Sequence, residues 1–72
     1  MNTSTQTTPF IITEKETLQS TREGDRIEAT NLTAAKRYAA RNQFFERTVL
    51  TISDEGGNLL SYREDGGRWK NA

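Results

Sequence analysis

The sequence predicts a small α+β fold: an antiparallel β-sheet of about five strands, in the order β-β-α-β-β-β, with one α-helix packed on one face. Three observations lead there. The chain has 72 residues, which is room for one modest hydrophobic core. Only residues 31–43 carry apolar side chains at helical spacing. The remaining apolar residues fall in short β-branched or aromatic runs separated by Gly, Asp and Asn clusters, the pattern of strands and tight turns.

In chain order, residues 1–8 ("MNTSTQTT") are polar and aperiodic and predict a flexible tail ending at Pro9, ahead of a single domain over 9–72. "FIITEKET" (10–17) opens with aromatic and β-branched residues and then alternates, as a half-buried strand does. Glu23-Gly24-Asp25 is a turn signal, and a short strand follows over 26–29. Asn31 is a good N-cap for a helix that begins at Leu32 and runs to about Asn42 or Gln43. Leu32, Ala35 and Ala39 share one face with Tyr38 alongside, and the small alanines allow the helix to lie close to a sheet. "FERTVLTIS" (45–53) is the strongest strand signal. Asp54 to Asn58 reads as a hairpin turn, "LLSYRE" (59–64) as the return strand, Asp65-Gly66-Gly67 as a second turn and "RWK" (68–70) as a last short strand. The predicted core is Leu32, Ala35, Ala39, Val49 or Leu50, Ile52, Leu60 and Trp69, with Tyr62 also assigned inward. Periodicity leaves open which alternate residues of 48–52 face the helix.

Cysteine and histidine are both absent. No disulfide or thiolate metal site can form, and the usual general base near neutral pH is missing. No basic n-region precedes an apolar segment at the N-terminus, and no apolar run exceeds three residues, so neither a signal peptide nor a membrane span is expected. A cytoplasmic protein is the expectation. Ten basic residues balance ten acidic ones, which excludes a global field drawing the chain to polyanions. Seven of the ten bases are arginine, the residue suited to planar contacts with phosphate or carboxylate.

Asp54-Glu55 and Glu64-Asp65 each adjoin a Gly-Gly turn, where Asp and Glu serve the backbone, and neither pair has the spacing of a calcium loop. Neither glycine pair sits between a strand and a helix, as a phosphate-binding loop requires. Serine and threonine are plentiful, but no histidine is present to activate them. No enzymatic activity, cofactor or metal is expected.

The remaining signal is "AAKRYAARNQFFERT" (34–48). It carries Lys36, Arg37, Arg41 and Arg47 against one acid, Glu46. On a helix, Lys36, Arg37 and Arg41 fall within an arc of roughly 140°. A solvated helix back would look similar, because Lys and Arg are good helix formers. Against that, no acid occurs between Glu28 and Glu46, so no i,i+4 ion pair can neutralise these charges within the helix. Gln43, Phe44 and Phe45 follow directly, and Arg63 could join from a neighbouring strand. Such a patch suits phosphate or an acidic protein surface. On residues alone, a free-standing nucleic-acid-binding protein, for instance a phage accessory protein, and a plain interaction module both stay open.

The segments "REGDRIEA", "LTAAKRYAARNQFF", "TVLTI" and "LLSYREDGGRW", in that order, resemble the small anti-CRISPR inhibitors of type I-F systems that are numbered nine in their series. The resemblance runs without a gap from about Phe10 to Trp69. It implies a phage or mobile-element protein that acts in the host bacterial cytoplasm. It implies binding to the backbone subunits of the Csy (Cascade-like) surveillance complex, beside the guide RNA, where the inhibitor blocks target DNA hybridisation. The family is also associated with non-specific duplex DNA binding by the inhibited complex. Its partner-binding residues carry over onto Lys36, Arg37, Arg41, Gln43 and Arg63. Lysine stands at positions 41 and 63 in the family, a tyrosine at position 10, and the residues before Pro9 are an extension.

Overall fold

The computed structural model describes residues 6–18, 23–45 and 47–72. The expected tail over 1–5, residues 19–22 ahead of the turn, and Glu46 lie outside the described residues. The order of elements is β1 (Thr8–Lys15), β2 (Asp25–Ala29), α1 (Leu32–Arg41), β3 (Val49–Ser53), β4 (Leu59–Glu64) and β5 (Lys70–Asn71). The predicted α+β class and element order are those observed. The five strands form one antiparallel sheet in the order β2-β1-β3-β4-β5.

The position of the helix follows from this order. Strands β2 and β3 both pair antiparallel with β1, one on each side, so they run in the same direction. Parallel-running strands cannot be joined by a hairpin, and α1 supplies the crossover. Asn31 caps it: its backbone is extended, and its side-chain Oδ1 accepts the Ala34 N–H at 2.8 Å. At the other end, the N–H of Asn42 donates to the Tyr38 carbonyl at 3.0 Å.

Register then sorts the side chains. Phe10 pairs with Ile27, and Ile12 with Ile52, which pairs with Ser61. These residues share the helix-side face, where Phe10, Ala29, Ala35 and Ile52 form the buried cluster, joined by Ile12, Ile27, Leu32, Leu60 and Trp69. Phe10, Ile12 and Ala29 extend the predicted core. Their contribution depends on strand pairing that the local pattern does not reveal.

The choice left open in β3 has a two-sided answer. Leu50 and Ile52 face the helix, Val49 and Thr51 face away, and all four are buried. Being the middle strand of five, β3 is covered on both faces by its neighbours' side chains. The inward assignment of Tyr62 is corrected: it pairs with Thr51 on the face opposite the helix, half-buried, with the Lys70 ammonium 5.9 Å from its ring centre.

Several strand boundaries differ from expectation: β5 lies at Lys70–Asn71 rather than over 68–70, and β1 ends at Lys15 rather than at residue 17. Strand β1 begins at Thr8, two residues before Phe10, because Thr8 and Pro9 pair with Ala29 and Glu28. Strand β3 begins at Val49 rather than at Phe45. Residues 43–45 and Arg47 form a loop, with Arg47 at φ 64° and the backbone amides of Phe44 and Phe45 captured by a side chain of β1.

Gly24 is the one glycine where a side chain has no room. A Cβ there would collide with the Thr13 Oγ1 and Ile11 Cγ2 side-chain atoms and lie 2.9 Å from the Ile12 carbonyl oxygen. Gly24→Ala is therefore expected to destabilise the fold by about 1–3 kcal/mol, the usual range for forced overpacking. Urea denaturation followed by circular dichroism would measure it. Gly57→Ala, with open space around it, tests a different effect, the left-handed φ of 87°.

Candidate partner interface

The helix presents Ala35 and Ala39 to the sheet, at 0% and 1% exposure. At 100° per residue, Arg37 then projects from the outer side, with Lys36 and Arg41 on opposite flanks. The Arg41 flank overhangs β2: Arg37, Tyr38 and Arg41 line one shallow hollow with Ile27, Glu28 and Ala29. The Lys36 flank faces the other way, above the half of the sheet that the helix leaves open. The helix packs on β1, β2 and β3 and leaves β4 and β5 beside it.

Arg63 lies on that open half. It pairs with Leu50, which fixes it on the helix-side face, and it lines a second hollow with Gln43, Arg47, Asp65 and Gly66. The five predicted residues thus belong to one face of the molecule but divide into two groups. Arg37 and Arg41 sit above β2, Gln43 and Arg63 sit beside β4, and Lys36 lies on the flank toward the second group. None of the ion pairs among the described residues involves Lys36, Arg37, Arg41 or Arg63; those pairs join Arg26 to Glu28 and Glu55, and Lys70 to Glu64. The Nε of Arg63 is buried without a hydrogen-bond partner. The exposed guanidinium groups of Arg37 and Arg41, outside these ion pairs, are available to an external carboxylate or phosphate.

Gln43 differs from the other four. It is half-buried, and its Nε2 donates to the Phe45 carbonyl at 2.8 Å and to Thr48 Oγ1 at 3.0 Å. Its side chain braces the loop, so only its carbonyl oxygen remains for a partner. Truncating Gln43 would therefore remove structural bonds together with any partner contact.

Sequence reasoning missed the residue that builds this loop. The Glu14 carboxylate, on β1, accepts the N–H groups of Phe44 and Phe45, both at 2.8 Å, and the Thr48 hydroxyl at 2.7 Å. Burial would raise its pKa, but the hydrogen bonds from Phe44, Thr48 and Phe45 outweigh burial and hold it below the ordinary value of 4.5. The lowered pKa has a definite consequence for pH. The ionised carboxylate contributes stability in full above its unfolded-state pKa, and the contribution disappears as pH falls through the lower folded-state value. The amide resonances of Phe44 and Phe45 are expected to titrate together with a midpoint below 4.5, while amides of the central strand β3 do not follow.

The loop so held leaves Phe44 82% and Phe45 70% exposed, the most exposed large apolar side chains among the described residues. Of the acids at the turns, Asp54 serves the backbone, while Glu55 and Glu64 make ion pairs. Asp54 Oδ1 accepts the Asn58 N–H at 2.9 Å, and its carboxylate binds the Asn58 side-chain amide. Among the described residues, no three acidic side chains come together as a metal-ligating group. Also among them, no helix is long and apolar enough to cross a membrane.

The chain is similar to a solved structure named AcrIF9. The two superpose with a TM-score of 0.89 at 43% sequence identity, over 93% of this chain and 88% of that one. No protein-family model matches the sequence, and no curated protein matches it.

Proposed function

The chain belongs to the AcrIF9 family of type I-F anti-CRISPR proteins, and from that premise we propose how it inhibits. It binds the protein backbone of the Csy surveillance complex inside the bacterial cell, where target DNA would pair with the guide RNA, and so prevents hybridisation. It acts by occupancy and performs no chemistry. Lys36, Arg37, Arg41, Gln43 and Arg63 are the contact residues, and the exposed cations also give the inhibited complex a means of holding duplex DNA non-specifically.

The observation that carries this reading is the 43% identity across nearly the whole chain. The placement of unpaired cations on one face is consistent with it. A neutral chain avoids indiscriminate attachment to polyanions, and a local cluster of uncompensated guanidinium groups still offers directed contacts. The test is target DNA binding by a purified type I-F complex, with the protein added before or after the DNA. Inhibition only when the protein is added first is expected. Equal target binding with and without the protein would refute the proposal. Tight binding of free DNA by the isolated protein at physiological salt would favour the free-standing nucleic-acid binder instead.

A further inference from the structure

We infer that the loop between α1 and β3 is a second contact surface, in which Phe44 and Phe45 form an apolar tip that docks in a cleft of a protein partner. Two adjacent phenylalanines at 82% and 70% exposure are unusual in a fold whose other large apolar side chains are mostly covered. They are not exposed by default. The Glu14 carboxylate takes both of their backbone amides, Thr48 closes the same carboxylate, and Gln43 ties the Phe45 carbonyl back. Together these bonds fix the peptide from which the two rings leave the chain. An outward-facing aromatic pair on a fixed backbone is an arrangement that concentrates binding energy in protein interfaces.

The charges around the tip select the kind of partner. On one side the rings border a hollow lined by Glu14, Glu16, Glu23 and Asp25, with Lys15 among them. On the other, beyond Gln43, lie Arg47 and Arg63. A nucleic acid laid across the tip would meet the acidic side and be repelled. A protein surface with an apolar cleft, basic groups on one side and carboxylates on the other, is complementary to both. Arg47, one of the bases of the segment 34–48 but not among the carried-over contact residues, belongs to this surface: its left-handed backbone, φ 64°, carries it to the rim it shares with Arg63.

The inference rests on the functional reading for the partner's identity, the protein backbone of the surveillance complex. The experiment is binding of the purified complex, without DNA, to the wild-type protein and to the double variant Phe44→Ala with Phe45→Ala. Binding at least about tenfold weaker is expected, with thermal unfolding little changed because both rings are largely exposed and neither belongs to the buried cluster. Glu14→Gln, which keeps the rings but disrupts their mounting, is expected to weaken binding in the same direction. If the wild type binds and the double variant binds equally well, the aromatic tip is not a contact surface. If the double variant keeps its grip on the complex but loses affinity for a short free DNA duplex, the rings face nucleic acid and the inference is overturned. If the wild type does not bind the complex, the functional reading fails and the inferred partner with it.

Discussion

An Ile52→Ala protein is expected to lose about 2–5 kcal/mol of stability, the range measured for large-to-alanine changes in well-packed cores. Ile52 has no exposed surface, sits in the middle strand of the sheet, and belongs to the cluster with Phe10, Ala29 and Ala35. Relaxation cannot refill the space. The helix already lies against the sheet through alanines, and Ser61, the register neighbour on β4, is tied to the Lys70 carbonyl at 2.6 Å. A domain of this size has only about 3–5 kcal/mol from its core, so the variant is expected to be largely unfolded at 37 °C. Urea denaturation by circular dichroism would show it. Leu59→Ala, at a position 36% exposed, is the contrasting control and should change stability far less. Equal stability of Ile52→Ala and the wild type would mean that the cluster is not the core.

The second large effect is on inhibition rather than folding. The triple variant Lys36→Ala, Arg37→Ala and Arg41→Ala is expected to raise the concentration needed to block target DNA by at least about tenfold. The individual charges differ in worth. One that stays at a wet rim contributes roughly 0.5–1 kcal/mol, and one desolvated against a partner group roughly 2–5 kcal/mol. The helix itself should survive, since alanine is the best helix former and none of the described ion pairs uses these three side chains. Circular dichroism would confirm the fold, and competition with target DNA for the surveillance complex would measure function. A folded triple variant that inhibits at the wild-type concentration would remove the basic helix face from the inhibitory surface. Gln43 needs a separate test, because its truncation also removes two hydrogen bonds that brace the loop.

These two predictions draw on different levels of information. Local sequence carried the elements. The N-cap at Asn31, the alanine face of the helix, the turn at Asp54 to Asn58 and the β-branched run of β3 each follow from short-range chemistry that needs no partner strand. Arg37 as an outward cation was equally legible, because helical spacing alone puts it opposite Ala35 and Ala39.

What sequence could not determine was anything that depends on who lies next to whom. That Val49 and Thr51 are as buried as Leu50 and Ile52 follows from the central place of β3, which exists only once five strands have paired. Tyr62 was expected inside and faces away from the helix, because register with Thr51 decides its side. The run from Phe45 has strand-like composition, yet Phe45, Arg47 and Thr48 lie outside the strand. A carboxylate from β1, some 30 positions away in the chain, takes the amides of Phe44 and Phe45. Local propensity distinguishes conformations by fractions of a kcal/mol per residue, so a set of charge-assisted hydrogen bonds from a distant strand overrides it. The helix face was written in the spacing of its own residues, whereas the aromatic tip came into being only when Glu14 was brought beneath it.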